Sequence, residues 1–243
     1  WKKNKIDHIV VSPGIDIKKC KAKNFLKKNL GKIITDVDLF FEDHKKSVII
    51  SITGTNGKST TCKIIEKVLS AAGYETETGG NIGKPILALK KLKKDGVYIL
   101  EISSYQLEYS KEFRSKHAAI LNISPDHLER HNNLNNYIRI KSKIFSAQKK
   151  SDFSYINEMN KYSKDIKKIV KSKKIKSKFV YINKNNHKFL FRKIHNNYLK
   201  NENNLENLFF AYKIAKKFNV TSKIFFKSIN NFQGLPHRQE VIF

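Results

Sequence analysis

Residues 47–61 read SVIISITGTNGKSTT, and the last third of that stretch is equipped to hold a phosphate group. The Lys58 ammonium can reach terminal phosphate oxygens, and the hydroxyls of Ser59 or Thr60 can ligate Mg²⁺. A glycine turn running from Gly54 through Thr55 and Asn56 to Gly57 can present several backbone N–H groups to one phosphate. A helix starting near Lys58 adds its partially positive end. The spacing departs from the general phosphate loop, G-x-x-x-x-G-K-[ST], because Ile52 stands where the first glycine would be. What remains is a shorter loop, G-T-N-G-K-S-T.

Three further residues carry chemistry. Glu101 closes the apolar run Val97-Tyr98-Ile99-Leu100, and a carboxylate at the carboxyl end of a buried parallel strand can hold Mg²⁺ directly or through water. His127 follows Ser124-Pro125-Asp126; its neutral imidazole is a candidate metal ligand, although a lone histidine is more often a surface or packing residue. Lys141 falls in the same helical stripe as Tyr137, Ile138, Ile144 and Phe145, where an ammonium is costly unless paired or modified. Lys143 points to the other side and reads as solvated.

The elements that must position these residues follow from periodicity. A strand is expected over 6–12, ending in the turn Ser12-Pro13-Gly14. A helix over 24–29, a brief strand over 32–35 and a helix over 36–44 come next. The β-branched run 48–52 is a strand feeding the glycine turn, and the helix from 58 to 72 closes at Gly73. Gly79-Gly80-Asn81-Ile82-Gly83 permits close backbone approach to a ligand, or is a plain loop before a helix over 85–92. Strands are expected over 97–100 and 118–123, with 103–106 as a polar loop between them. Ser124 suits an N-cap with Pro125 at the first helical position. A helix over 134–147, strands at 153–156, 179–182 and 187–191, a basic helix within 161–178, and helices after Asn203 and Thr221 complete the chain. Alternating strands and helices predict an α/β fold: a mainly parallel central sheet carrying the phosphate loop and flanked by helices.

Composition bounds the partners. The 243 residues carry a formal charge of +28, yet only five of the 49 basic residues are Arg, the residue favoured for phosphate and groove recognition. A Lys, Asn and Ile excess spread along the chain reads as a bias decorating solvated faces, so no nucleic-acid partner is expected. No apolar run has the length to span a bilayer, and a soluble, cytoplasmic, monomeric protein with two reduced thiols, Cys20 and Cys62, is the expectation. Trp1 at the start and a strand-like run at Phe243 point to a fragment at both ends.

Taken together the motifs resemble the Mur ligases of peptidoglycan synthesis. VVSPG at 10–14, TGTNGKST at 53–60, GGNIG at 79–83, LEISSYQLE at 100–108, AAILNISPDHLERH at 118–131, YIRIKSKIF at 137–145, NLEN at 204–207 and GLPHR at 234–238 occur in family order. TGTNGKST alone also fits folylpolyglutamate synthetase; the SSYQLE, GGNIG and PDHLERH segments are similar to the D-glutamate-adding branch.

The resemblance implies an ATP-dependent amide ligase: the carboxylate of UDP-MurNAc-L-alanine is phosphorylated, and the acyl phosphate is taken by the amine of D-glutamate. It assigns phosphate and Mg²⁺ positions to Lys58 and Ser59, a Mg²⁺ ligand to Glu101, a ligand of a second Mg²⁺ to His127, and a carbamylated lysine to Lys141. It assigns substrate positions to Asn81 and Ser103, the uridine-site turn to Ser12 and Gly14, nucleotide contacts to Asn204 and Asn207, and the hinge beside the nucleotide to His237 and Arg238. Asn203 stands where the family often has His. The implied domains are the tail of a Rossmann-like UDP-binding domain over 1–46, an ATP-binding middle domain over 47–234, and the start of a C-terminal domain over 235–243. A fragment so bounded is expected to bind ATP weakly and not to ligate. The alternatives are another Mur-type or folylpolyglutamate-type amide ligase, and a basic nucleotide- or nucleic-acid-binding module.

Overall fold

A computed structural model describes residues 6–183 and 192–234, except for the side chains of residues 202 and 203. The strand expected over 187–191 therefore lies outside the described residues. A six-stranded sheet, parallel at every pairing, organises the chain. Its strands are β3 (Val48–Thr53), β4 (Thr76–Gly80), β5 (Val97–Glu101), β6 (His117–Ile120), β7 (Phe153–Asn157) and β8 (Lys178–Ile182), in the order β4-β5-β3-β6-β7-β8. A separate parallel pair joins β1 (Ile9–Val10) to β2 (Ile33–Ile34).

The central strands are apolar and β-branched because both faces are covered. One face packs against α3 (Lys58–Ala71), α8 (Glu202–Ala215) and α9 (Ser222–Asn230), through Ile50, Ile52, Ile64, Leu69, Phe209 and Phe225. The other packs against α2 (Asp36–Asp43) and α6 (Leu134–Lys141), through Val37, Phe40, Ile49, Leu100, Ile120 and Ile138. Removing each such side chain from water contributes roughly 1.5–3 kcal/mol. The remaining helices are α1 (Lys23–Lys28), α4 (Ser104–Tyr109), α5 (Leu128–His131) and α7 (Ser163–Ser172). Cys20 and Cys62 are free thiols.

Helix α2 is pinned by one carboxylate. Asp38 is buried and caps its own helix by accepting from the Thr35 amide. Its second oxygen accepts from the Ser110 hydroxyl and the amides of Lys111, Glu112 and Phe113 at 2.9–3.1 Å. Asp38→Ala leaves those donors without an acceptor in a buried setting. The expected cost is about 3–5 kcal/mol in chemical denaturation, with Asp38→Asn recovering part of it.

Several expectations are corrected. Residues 76–80 form strand β4, and its glycines serve the protein's own backbone: a Cβ on Gly80 would stand 2.3 Å from the Glu101 carbonyl, and one on Gly79 2.5 Å from that of Lys84. The helix expected over 85–92 shrinks to a 3-10 turn, Ile86–Ala88. Residues 103–106 are no loop, since Ser103 caps α4 and exchanges hydrogen bonds with Gln106 in a capping box. Ser124 caps nothing; its amide and carbonyl are taken by the Thr55 hydroxyl. The helix begins only at Leu128, after His127 in a left-handed conformation at φ 51°. The helix expected over 134–147 keeps α-geometry to Lys141 and tightens to a 3-10 turn over Ser142–Phe145. Lys143 is half-buried and donates to the Glu108 carbonyl at 2.8 Å, with burial lowering its pKa to about 8.

Candidate active site

The strand order reverses direction at β3: the chain leaves it toward β4 on one side and later returns to lay β6 on the other. Such a switch point opens a crevice at the carboxyl ends of the strands. The glycine turn, Glu101 and the segment after β6 all emerge there.

Gly57 adopts φ 80° as it caps α3, and a Cβ there would fall 2.1 Å from Asn207 Oδ1. Both facts require glycine. Gly57→Ala is expected to lower stability by about 1–2 kcal/mol and to push Asn207 aside, read by thermal unfolding together with an ATP titration. The other side of the turn is clamped by the segment after β6. The Thr55 amide donates to the Asn122 carbonyl at 3.1 Å, and the Asn56 amide to Asn122 Oδ1 at 2.9 Å. Thr55 Oγ1 also lies 3.2 Å from the Tyr137 hydroxyl.

Within this frame Lys58 Nζ donates to the carbonyls of Gly54 and Thr55 at 3.0 and 2.8 Å. Ser59 Oγ donates to Glu101 Oε2 at 2.7 Å, while Asn81 Nδ2 donates to Glu101 Oε1 at 2.8 Å. The Ser59 hydroxyl and the Glu101 carboxylate are hard oxygen donors side by side, the donor set that Mg²⁺ prefers.

Lys141 is 2% exposed, and its Nζ donates to the Gly54 carbonyl at 2.9 Å and lies 4.8 Å from the centre of the Tyr137 ring. Burial, with the like charge of Lys58 second, pushes its pKa down to about 7; Asp126 and Glu101 pull the other way. A lysine poised near neutrality has a free amine available for modification.

Asn204 and Asn207 are buried on α8, with Asn207 against the glycine turn. Together with Asn56, Asn122, Asn160 and Tyr198 they line a polar cavity of about 610 Å³ that opens from the phosphate loop. Its size suits a nucleoside. His127 stands on an exposed turn, with Asp126 at 3.3 Å, Glu129 at 3.9 Å and the Tyr105 ring at 4.9 Å. Among the described residues no group of three or more His, Cys, Asp or Glu stands close enough to hold a metal ion, so Glu101 and His127 do not by themselves complete one site. Ser103 caps α4, one residue past Ile102, whose amide bonds the Ile52 carbonyl of β3. Ser12 and Gly14 form the turn after β1, in which the Ile15 amide bonds the Ser12 carbonyl. His237 and Arg238, and the side chain of Asn203, lie outside the described residues.

The sequence carries no direct sign of Asn122, whose contacts come from folding β6 beside β3, or of Asp126, whose charge acts on Lys141. Tyr137, assigned to the apolar stripe, also turns its hydroxyl to the phosphate loop. An Asn at the end of an apolar strand was the available signal for Asn122.

An all-parallel sheet with a phosphate loop at its switch point defines a P-loop-bearing α/β protein. More particularly, residues 52–226 match the Mur ligase middle domain, and the chain belongs to the Mur ligase family. It is 40% identical to a UDP-N-acetylmuramoylalanine–D-glutamate ligase of Rickettsia felis over 98% of this chain and 55% of that protein. It is 32% identical to the Thermoanaerobacter sp. protein of the same name, over 98% of this chain and 55% of that one. The chain thus spans about half the length of the curated relatives it matches. Among solved structures, MurF of Acinetobacter baumannii aligns over 86% of this chain and 51% of its own, with a TM-score of 0.64 and 18% identity. E. coli FolC in complex with DHPP and ADP aligns over 96% of this chain and 70% of its own, with a TM-score of 0.60 and 14% identity. These two likenesses concern the fold. No described helix is long and apolar enough to cross a membrane.

Proposed function

We propose that this chain supplies the ATP-binding core of a ligase that joins D-glutamate to UDP-MurNAc-L-alanine. The observation that carries the reading is the Ser59–Glu101–Asn81 bridge beside Lys58 on the phosphate loop, in a chain whose relatives bear that activity's name. In the proposed reaction a substrate carboxylate oxygen attacks the γ-phosphorus of ATP and ADP leaves. The D-glutamate amine then attacks the acyl carbon, phosphate leaves, and the amine loses a proton.

The chain's own residues divide the work. The loop over residues 54–60 holds the phosphates through Lys58 and the amides at the start of α3, and Asn204 and Asn207 hold the nucleoside, with His237 and Arg238 beside it. Asn81 and Ser103 orient the substrate carboxyl end, and Ser12 and Gly14 meet its uridine end. Ser59 and Glu101 would hold one Mg²⁺, and His127 with a carbamate on Lys141 a second; the ions would neutralise phosphate charge as the carboxylate approaches. The proposed domains are 1–46, 47–234 and 235–243, in a cytoplasmic monomer.

The test uses a polypeptide carrying this chain at the full length of its relatives, incubated with ATP, Mg²⁺ and UDP-MurNAc-L-alanine against a panel of amino acids. ADP release dependent on D-glutamate, with formation of the corresponding amide, is the expected result. Turnover with another amino acid only, or with a folate and L-glutamate, would refute the assignment in favour of a different amide ligase.

A further inference from the structure

Lysine supplies nearly all the positive charge of this chain, and Arg130 is one of only five arginines. Arginine offers a planar fork of donors and a flat face for stacking. Arg130 uses all of these. Its side chain and that of its partner Glu108 are each only 9% exposed. Nε donates to Glu108 Oε2 at 2.8 Å, and Nη2 donates to the Ile15 carbonyl at 2.7 Å. The guanidinium lies 5.4 Å from the centre of the Tyr105 ring, and that ring lies 4.9 Å from the ring of His127.

The partners come from three parts of the chain. Ile15 belongs to the turn that follows β1, Tyr105 and Glu108 to α4, and Arg130 to α5, three positions after His127. Helix α4 is itself fixed at both ends, by the Ser103–Gln106 capping box and by Lys143 donating to the Glu108 carbonyl.

We propose that Arg130 is a positioning residue that sets the turn bearing Ser12 and Gly14 and the turn bearing His127 in one frame. The uridine end of the substrate and the metal side of the reaction are thereby held at a fixed separation. This rests on the ligase reading above. A lysine at 130 keeps the charge but lacks the flat guanidinium and the two spaced donors that meet Glu108 and the Ile15 carbonyl.

The experiment compares Arg130→Lys, Arg130→Met and the double variant Glu108→Met/Arg130→Met with the wild type, each at the full length of the relatives. Arg130→Met alone leaves a buried carboxylate unpaired and tests folding as much as positioning; the double variant removes both charges and restores the fold. Three quantities are read: melting temperature, KM for UDP-MurNAc-L-alanine against kcat, and the Mg²⁺ concentration at half-saturation of ATP binding. In the double variant, wild-type melting is expected alongside a rise of about tenfold in both the KM and the Mg²⁺ midpoint, the lower end of what loss of a ligand-orienting neighbour costs. Arg130→Lys is expected to recover neither. A folded double variant, or Arg130→Lys, with wild-type KM and Mg²⁺ midpoint would overturn the role. A wild type that ligates nothing while the Mg²⁺ midpoint still shifts in the double variant would refute the ligase reading and uphold Arg130's positioning of the His127 turn.

Discussion

Lys58→Ala is expected to weaken Mg·ATP binding at least tenfold and to lower ligation by about 10²–10³, the loss seen when a preorganised charge partner of the transition state is removed. The ammonium sits where its effect is largest. It lies over the carbonyls of Gly54 and Thr55 at the mouth of the turn, next to the Ser59–Glu101 pair that presents the oxygen donors. Its bonds hold the loop and not the core, because alanine suits the first turn of α3 and the apolar buried face of that helix is made by Cys62, Ile64, Ile65, Val68 and Leu69. Isothermal titration of ATP into wild type and variant, with unfolding curves alongside, separates the two effects. Salt provides a second axis. A phosphate loop built of backbone amides keeps its nucleotide at high ionic strength, whereas a merely basic surface loses polyanions steeply as salt rises. A Lys58→Ala protein that binds ATP as the wild type does, or ATP binding that vanishes in moderate salt, would sink the phosphate-loop assignment and favour the basic-module alternative.

How much of this site was readable before folding depends on how local each signal is. The turn at residues 54–57 and the strand that feeds it are contiguous, so β3, α3 and the role of Gly57 follow from a few residues. Glu101 was readable because the carboxyl end of a parallel strand has a known place in such a sheet. The misfit of Lys141 was readable as a charge in an apolar stripe, and the structure places it 2% exposed. What escaped depended on contacts distant in sequence. Gly79 and Gly80 look like a ligand loop until β4 is laid against β5, when the backbone of Glu101 proves to be what crowds Gly80. Ser124 and Pro125 look like a helix start until Thr55, distant in sequence, claims the Ser124 amide and carbonyl. Lys143 looks solvated on a helical wheel, but α4 comes to meet it through the Glu108 carbonyl.

Lys141→Met should separate stability from function in opposite directions. Burial lowers the Lys141 pKa from 10.5 in the open chain to about 7 in the fold. Between those values the unfolded chain holds a proton that the folded chain does not, so stability rises with pH across the interval. Below about pH 7 both states are protonated and the penalty of burying the ammonium is complete, of order 5 kcal/mol as an upper bound. Methionine fills similar volume with no charge. In buffers freed of carbon dioxide, Lys141→Met is therefore expected to be more stable than the wild type at pH 6, and the gap is expected to narrow steadily toward pH 9 and beyond. Urea denaturation across that range is the measurement, and a gap that does not change with pH would show that Lys141 keeps an ordinary pKa. Above pH 7 the neutral amine can add carbon dioxide, giving a carbamate and releasing a proton, which puts an anion where the ammonium bonded the Gly54 carbonyl and the Thr53 hydroxyl. Adding bicarbonate at pH 8 should then raise the mass of the intact wild type, but not of the variant, by one CO₂. The variant should lose ligation while gaining stability, because the group that strains the fold is the one proposed to meet the second metal ion.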